Sequence, residues 1–409
     1  MLLSYFLAFF YLLVFTFLIY KLNFFKKLEI PFYLLISLFI IKILAGFIYA
    51  KFYLQPQYAV LADTWRYYSL SVDEMYKLIN NPSLFFSEIF NSSFAKNNIF
   101  ISTDSYWNDL KTILPIKTFA LLNLVTNKNY YINMMILNFI SLFGMFNLLK
   151  IFSHYYPAKK SLQLMGIFMV PSFLFWNSGL HKDVIIFTVL SYSIFFFFKI
   201  LVQFKKKYLS YLLLSLIILF ILKNYLVFIL ILSFIAWLLF EKLQFKKIVI
   251  IAIIGVGFFS LFFISTQLKP KYNIAHYISL KQQEFKTING NSVIELPNIE
   301  PTFSGLIKYF PFAINVSFFQ PNYSSSNSLF VITSSTELLL LLFLVFYCFA
   351  KRTKQLNSFA FFILFFCVIV LLISGYTVTF FGSIIRYRSI IWPLIITLSL
   401  SVKTQNNTY

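Results

Sequence analysis

The stretch Pro31-Phe-Tyr-Leu-Leu-Ile-Ser-Leu-Phe-Ile-Ile-Lys-Ile-Leu-Ala-Gly-Phe-Ile-Tyr-Ala-Lys51 decides the fold. A helix rises about 1.5 Å per residue, so about 20 apolar residues cross a hydrocarbon core about 30 Å thick. In hydrocarbon every backbone polar group needs an internal partner, and a helix supplies it. Comparable blocks recur at 2–20, 129–151, 164–177, 184–202, 208–222, 225–241, 248–265, 329–350, 357–375 and 389–402. A membrane barrel would alternate apolar and polar residues in segments of about ten. No segment does. The expected fold is an all-α polytopic transmembrane bundle of about 11 helices, a single integral membrane domain over residues 1–409.

Composition supports this. Of 409 residues, 60% are hydrophobic and 11% charged, and mean hydropathy is +0.81. A soluble domain carries about 25% charged residues. The net charge of +21 does not indicate a nucleic-acid partner, because the lysines gather in short clusters at block ends. That placement sets orientation and meets anionic lipid headgroups. Cys348 and Cys367 fall inside apolar blocks and read as small buried hydrophobes. The block Met1–Tyr20 lacks a basic start and a small-residue cleavage site, so a retained helix is expected there.

The connections alternate in character. One set is short and basic: Lys21/Lys26/Lys27, Lys159/Lys160, Lys205/Lys206/Lys207, Lys242/Lys246/Lys247 and Lys351/Arg352/Lys354. The positive-inside rule assigns these to the cytoplasm. The N-terminus is then extracytoplasmic, the C-terminus cytoplasmic, and the two large loops, 53–128 and 266–328, face outward. No internal repeat or Gly-rich phosphate loop is present.

Only four residues are arginine. Arg352 belongs to a cytoplasmic cluster, whereas Arg66, Arg386 and Arg388 fall on the outer side, where orientation gives positive charge no reason. Arginine presents a planar fork that suits phosphate or carboxylate. Headgroup snorkelling at the mouth of the last helix is the alternative for Arg386 and Arg388.

Asp63 and Arg66 are three residues apart, so on a helical turn they share a face. An acid just outside the membrane suits a general base or a sugar-hydroxyl partner; a surface ion pair is the plainer reading. Asp73, Glu74, Glu88, Asp104 and Asp109 each read as solvated surface. In Pro171-Ser-Phe-Leu-Phe-Trp-Asn-Ser-Gly-Leu-His-Lys-Asp183, Pro171 kinks or ends one helix and Gly179 permits a turn. His181, Lys182 and Asp183 then form the lip of the next helix. Asp183 suits the helix dipole and Lys182 does not, so Lys182 needs an anionic ligand or a carboxylate such as Asp63 or Glu337. A simple turn capped by Asp183, with a structural His181, is the plainer alternative.

Lys223 interrupts the apolar run from Tyr208 to Phe240, either between two short helices in a hairpin or as a buried lysine in one long helix. Glu337 is the acidic residue inside a span, and a buried carboxylate must pair or be protonated. A lysine or arginine of another helix would pair with it, and Lys42 is a possible partner. Residues 310–323 are apolar and bounded by prolines, which fits a re-entrant or surface helix.

With Asp63-Thr-Trp-Arg-Tyr-Tyr68 after an early helix, Ser178-Gly-Leu-His-Lys-Asp183 at a helix lip and Arg386-Tyr-Arg388 before the last helix, the chain resembles polytopic polymerases and glycosyltransferases of bacterial surface polysaccharide synthesis. The repeat-unit (O-antigen) polymerases and the C-type membrane glycosyltransferases are the classes it resembles. The resemblance implies a metal-independent enzyme of the bacterial inner membrane without a cofactor. It would transfer an oligosaccharide from undecaprenyl pyrophosphate to an acceptor glycan at the extracytoplasmic face. Arg66, Arg386 and Arg388 would bind pyrophosphate, with Lys182 or Lys223 adding charge stabilisation and Asp63 serving as base. Lys182 and Asp183 would join it at the catalytic centre, and Lys42 and Glu337 would be buried structural charges. Asp63 matches the first-outer-loop acid of the C-type enzymes but lacks the paired acidic motif of some of them. Implied partners are polyprenyl-linked oligosaccharide, membrane lipid and a chain-length regulator. The alternatives are a flippase of lipid-linked oligosaccharide, a transferase using a polyprenyl-phosphate sugar, and a purely structural membrane protein.

Overall fold

A computed structural model describes residues 2–59, 62–90, 106–157, 160–242, 249, 255–257, 260, 263–265, 267, 273–287, 292–325 and 328–403. Most of the expected span 248–265 lies outside the described residues, as do Lys159, Lys246, Lys247 and Asp104. In chain order the principal helices are α1 (Leu2–Lys21), α2 (Phe32–Phe52), α3 (Asp63–Asn80), α4 (Pro82–Ser87), α5 (Tyr106–Thr126), α6 (Tyr130–Tyr155), α7 (Lys160–Phe168), α8 (Pro171–Trp176), α9 (Lys182–Val202) and α10 (Lys206–Lys242). Then follow α11 (Ile274–Lys286), α12 (Phe303–Ile314), a π-helical turn (Asn315–Phe319), α13 (Leu329–Ala350), α14 (Ser358–Thr377), α15 (Phe381–Ser389) and α16 (Trp392–Lys403).

Among the described residues the fold is all-α, with one isolated β-bridge between Val293 and Phe380. Among the described residues six helices are long and apolar enough to cross a membrane: α2, α6, α9, α10, α13 and α14. The pair α15–α16, bent by 51°, makes a seventh if it is one span. This is a multi-pass membrane protein by the length and composition of its helices. Backbone contacts divide the chain into two compact units, Met1–Ile151 with Phe173–Asn224, and Phe152–Ser172 with Tyr225–Tyr409.

The expected spans differ from the helices in instructive places. Residues 164–177 are not one span: α7 ends at Phe168 and Pro171 opens α8, the position where a missing N–H costs nothing. Lys223 leaves helical geometry (φ −159°, ψ 76°) inside an otherwise helical run from Lys206 to Lys242. The expected outer loop 53–128 is largely helical where described. Its helix α3 buries Thr64, Tyr67, Ser71 and Met75, a stripe at helical period. That stripe packs in the first unit with α5, which buries Ile116, Phe119, Ala120 and Asn123.

A charge quartet ties α3, α4 and α5 together. Lys77 lies 2.5 Å from Glu74 and 2.7 Å from Glu88, while Lys117 lies 2.5 Å from Glu74 and 3.0 Å from Glu88. Lys117 also sits 4.0 Å above the Phe85 ring. Glu74 and Glu88 are therefore inter-helix struts, not the solvated surface groups expected from sequence. Desolvation alone would raise the Glu88 carboxyl, and hydrogen bonds from Lys77 and Lys117 more than reverse it, holding it below the ordinary value. Both cysteines are buried and free.

In the second unit, α7 and α13 pack on α16. Gly166 lets α7 approach closely, since a Cβ there would meet the Thr397 backbone nitrogen at 2.8 Å. The segment before α15 is anchored by Ile294 N–H to Thr379 O (2.8 Å) and Phe381 N–H to Ser292 O (3.0 Å).

Candidate functional site

In the first unit the N-terminal ends of two long helices meet. Helix α3 begins at Asp63, an acid in the first turn where the dipole favours it. Helix α9 begins at Lys182, with His181 as its N-cap. The cap is therefore His181, not Asp183: the Asp183 backbone N–H donates to His181 Nδ1 at 3.2 Å. With that lone pair engaged, the neutral ring carries its proton on Nε2, which lies 3.5 Å from Asp63 Oδ2. The Asp183 carboxylate stands 3.4 Å from Nδ1 on the other side. A carboxylate thus stands near each nitrogen of the ring.

Burial grades along this array. The Asp63 side chain is 41% exposed, whereas those of His181 and Asp183 are 0% and 3% exposed. Tyr67, one turn along α3, lies parallel to the imidazole with ring centroids 5.9 Å apart. The Lys182 ammonium lies 5.7 Å from the centre of the same Tyr67 ring. Arg66 is exposed in the first turn of α3. The site therefore offers an accessible carboxylate, a buried imidazole, a second buried carboxylate, and cations on both helices.

Of the residues expected at a site, Asp63, Lys182 and Asp183 are brought together, with Arg66 on the turn that carries Asp63. Lys223 belongs to the same unit, at the helix break. Arg386 and Arg388 belong to the second unit, within the short helix α15. Arg386 is half-buried, and Arg388 is buried at 4% exposure. Its Nη1 donates to Gln320 O (2.9 Å) and Ser317 O (3.3 Å), and its Nε has no hydrogen-bond partner.

Lys42 finds neutral partners in place of the carboxylate expected for it. Lys42 donates to Asn177 O at 2.7 Å and lies 3.4 Å from Asn177 Oδ1 and 3.5 Å from Ser178 Oγ. Glu337 accepts the Ser172 backbone N–H at 2.8 Å and is attracted to Arg388.

Sequence reasoning missed His181 as the centre of the array. Its signal was present in the interval of one residue between His181 and Asp183, which lets a capping side chain and a first-turn acid share one ring. Thr64 and Tyr130 were also missed: Thr64 Oγ1 donates to Leu180 O (2.8 Å) and lies 2.7 Å from the Tyr130 hydroxyl. Among the described residues, no group of three His, Cys, Asp or Glu side chains could hold a metal ion. No family model, curated protein or solved structure matches the chain.

Proposed function

We propose that this chain is a membrane glycosyltransferase that polymerises a bacterial surface polysaccharide. It would transfer oligosaccharide from undecaprenyl pyrophosphate to an acceptor glycan at the extracytoplasmic face of the inner membrane. The observation that carries this reading is the accessible Asp63 carboxylate backed by a buried His181 and Asp183. A lone surface aspartate would not need a fully buried imidazole and a second buried carboxylate behind it.

In this reading the acceptor hydroxyl gives its proton to Asp63 as its oxygen bonds the anomeric carbon. The bond from that carbon to the pyrophosphate oxygen breaks, and the leaving group departs as polyprenyl pyrophosphate. His181 orients Asp63 through Nε2–H. Lys182 and Arg66, beside two helix N-termini, offset the developing phosphate charge. Lys223 would be a further cation of the first unit, and Arg386 a pyrophosphate-binding candidate of the second. Arg388, whose Nη1 serves two carbonyls, would act on that site through Arg386 and the helix that both share. A chain-length regulator would be a partner, and the lysine clusters support the orientation with the N-terminus outside.

The test is reconstitution in proteoliposomes with polyprenyl-pyrophosphate-linked oligosaccharide. Lengthened glycan is expected, and Asp63→Asn should slow it by about 10²–10⁴-fold, the usual contribution of a general base. Movement of labelled lipid-linked glycan across the bilayer without lengthening would replace this reading by a flippase. Lengthening from a polyprenyl-phosphate monosaccharide alone would change the donor.

A further inference from the structure

Three carbonyls of the turn before α9 share one property. The carbonyl of Asn177 accepts from Lys42 Nζ on α2 (2.7 Å), that of Ser178 from Asn138 Nδ2 on α6 (2.8 Å), and that of Leu180 from Thr64 Oγ1 on α3 (2.8 Å). Lys42, Asn138 and Thr64 are each fully buried. A tight turn leaves its carbonyls without backbone partners, and inside a protein such groups need donors. Ordinary practice is to leave a turn at the surface; this one is hung from three different helices by three side chains. The backbones also approach closely. A Cβ at Gly46 would meet Ser178 O at 2.4 Å, and one at Gly179 would meet the Tyr49 ring at 2.2 Å.

We infer that Lys42, Asn138 and Thr64 are positioning residues whose joint task is to fix His181 behind Asp63. Lys42 suits its place because an ammonium has three donors and no acceptor, and three oxygens of Asn177 and Ser178 surround it. Its donors are thus taken up by the turn itself. Thr64 connects the two sides of the site, since it follows Asp63 in the chain and holds the residue that precedes His181. Asn177 adds a fourth tie, its Nδ2 donating to Asp183 O at 3.3 Å.

The activity part of the test rests on the transferase reading; the labelling part does not. In a full-length His154→Gln/His276→Gln background His181 is the remaining histidine. Its carbethoxylation by diethyl pyrocarbonate, followed at 240 nm and reversed by hydroxylamine, reports how firmly the ring is held. Lys42→Met, Asn138→Leu and Thr64→Val should each raise the labelling rate at least tenfold over that background. Thr64→Ser, which keeps the hydroxyl, should restore protection. Ser193→Ala, which removes a buried hydroxyl bonded to Ser215 (2.9 Å) elsewhere in the unit, should leave protection in place. Where the transferase assay works, the three variants should lower kcat about tenfold with KM little changed. Unchanged labelling in all three variants, or equal labelling in Ser193→Ala, would overturn the inference. An inactive parent protein with the expected labelling pattern would overturn only the transferase reading.

Discussion

Nε2 of His181 stands 3.5 Å from Oδ2 of Asp63, joining the first turn of one helix to the N-cap of another. Residues that act as a unit lose function non-additively. Asp63→Asn and His181→Gln should therefore each slow glycan lengthening, and the double variant should be no more than about threefold slower than the worse single one. Single-turnover rates on one batch of lipid-linked donor decide this. Multiplicative losses would mean that the two side chains serve separate steps.

The charge quartet predicts a pH window for α3 and α5. Hydrogen bonds to Lys77 and Lys117, against an opposing burial effect, place the folded-state Glu88 carboxyl below its ordinary value of 4.5. A depressed acid contributes stability above its unfolded value and loses that contribution as pH falls through the folded one. Desolvation alone would lower Lys77, but hydrogen bonds to Glu74 and Glu88 place it above 10.5. Its contribution is complete below 10.5 and is lost only above the folded value. Protease protection of this segment in detergent should stay level between these limits and fall below about pH 4.5. Lys117→Met, which strips one cation from two carboxylates, should lower stability by about 2 kcal/mol and flatten the acid limb.

The long apolar helices were legible in the sequence because a membrane span is set by length and composition alone, as for Phe32–Phe52 and Ser358–Thr377. Helix α3 escaped a search for apolar blocks, although its stripe at Thr64, Tyr67, Ser71 and Met75 repeats at helical period. Its other face is polar, so hydropathy alone does not mark it as a helix. Asp63, Lys182 and Asp183 stood out as charges at helix lips, and the structure brings them together. His181 did not stand out, since its role depends on a contact 118 residues away. The same limit applies to Lys42, whose partners Asn177 and Ser178 are neutral, whereas sequence reasoning sought a carboxylate for it.

Two glycines should respond differently to a methyl group. In Gly179→Ala the new Cβ would collide with the Tyr49 ring at 2.2 Å; in Gly46→Ala it would meet the Ser178 carbonyl at 2.4 Å. A ring can be shortened and a backbone cannot. Both variants should lose about 1–3 kcal/mol. Tyr49→Leu should recover part of the Gly179→Ala loss and none of the Gly46→Ala loss. Thermal midpoints of the purified protein in one detergent give the comparison, and equal rescue of both would contradict the close packing of α2 on the turn.

Arg386 and Arg388 should separate cleanly although one residue lies between them. Arg388 is buried, gives Nη1 to the Gln320 and Ser317 carbonyls, and is drawn to Glu337, which itself holds the Ser172 backbone. Removing it leaves the Gln320 and Ser317 carbonyls without that donor and withdraws an attraction from Glu337, a loss of about 1–3 kcal/mol. Arg388→Lys should recover part of this loss, because one nitrogen, Nη1, serves both carbonyls and an ammonium also carries more than one donor. Glu337→Gln keeps an oxygen for Ser172 N–H and removes only the charge, so its loss should be smaller. Combined with Arg388→Met it should add little to the Arg388 loss, since the attraction between the two is already gone. Arg386, half-buried on the same short helix, should tolerate Arg386→Ala with normal membrane yield and thermal midpoint. If it binds pyrophosphate, the cost appears instead as shortened glycan chains and a raised KM for the donor. A stable Arg388→Ala protein with donor binding alone impaired would reverse these roles and make Arg388 the ligand-binding arginine.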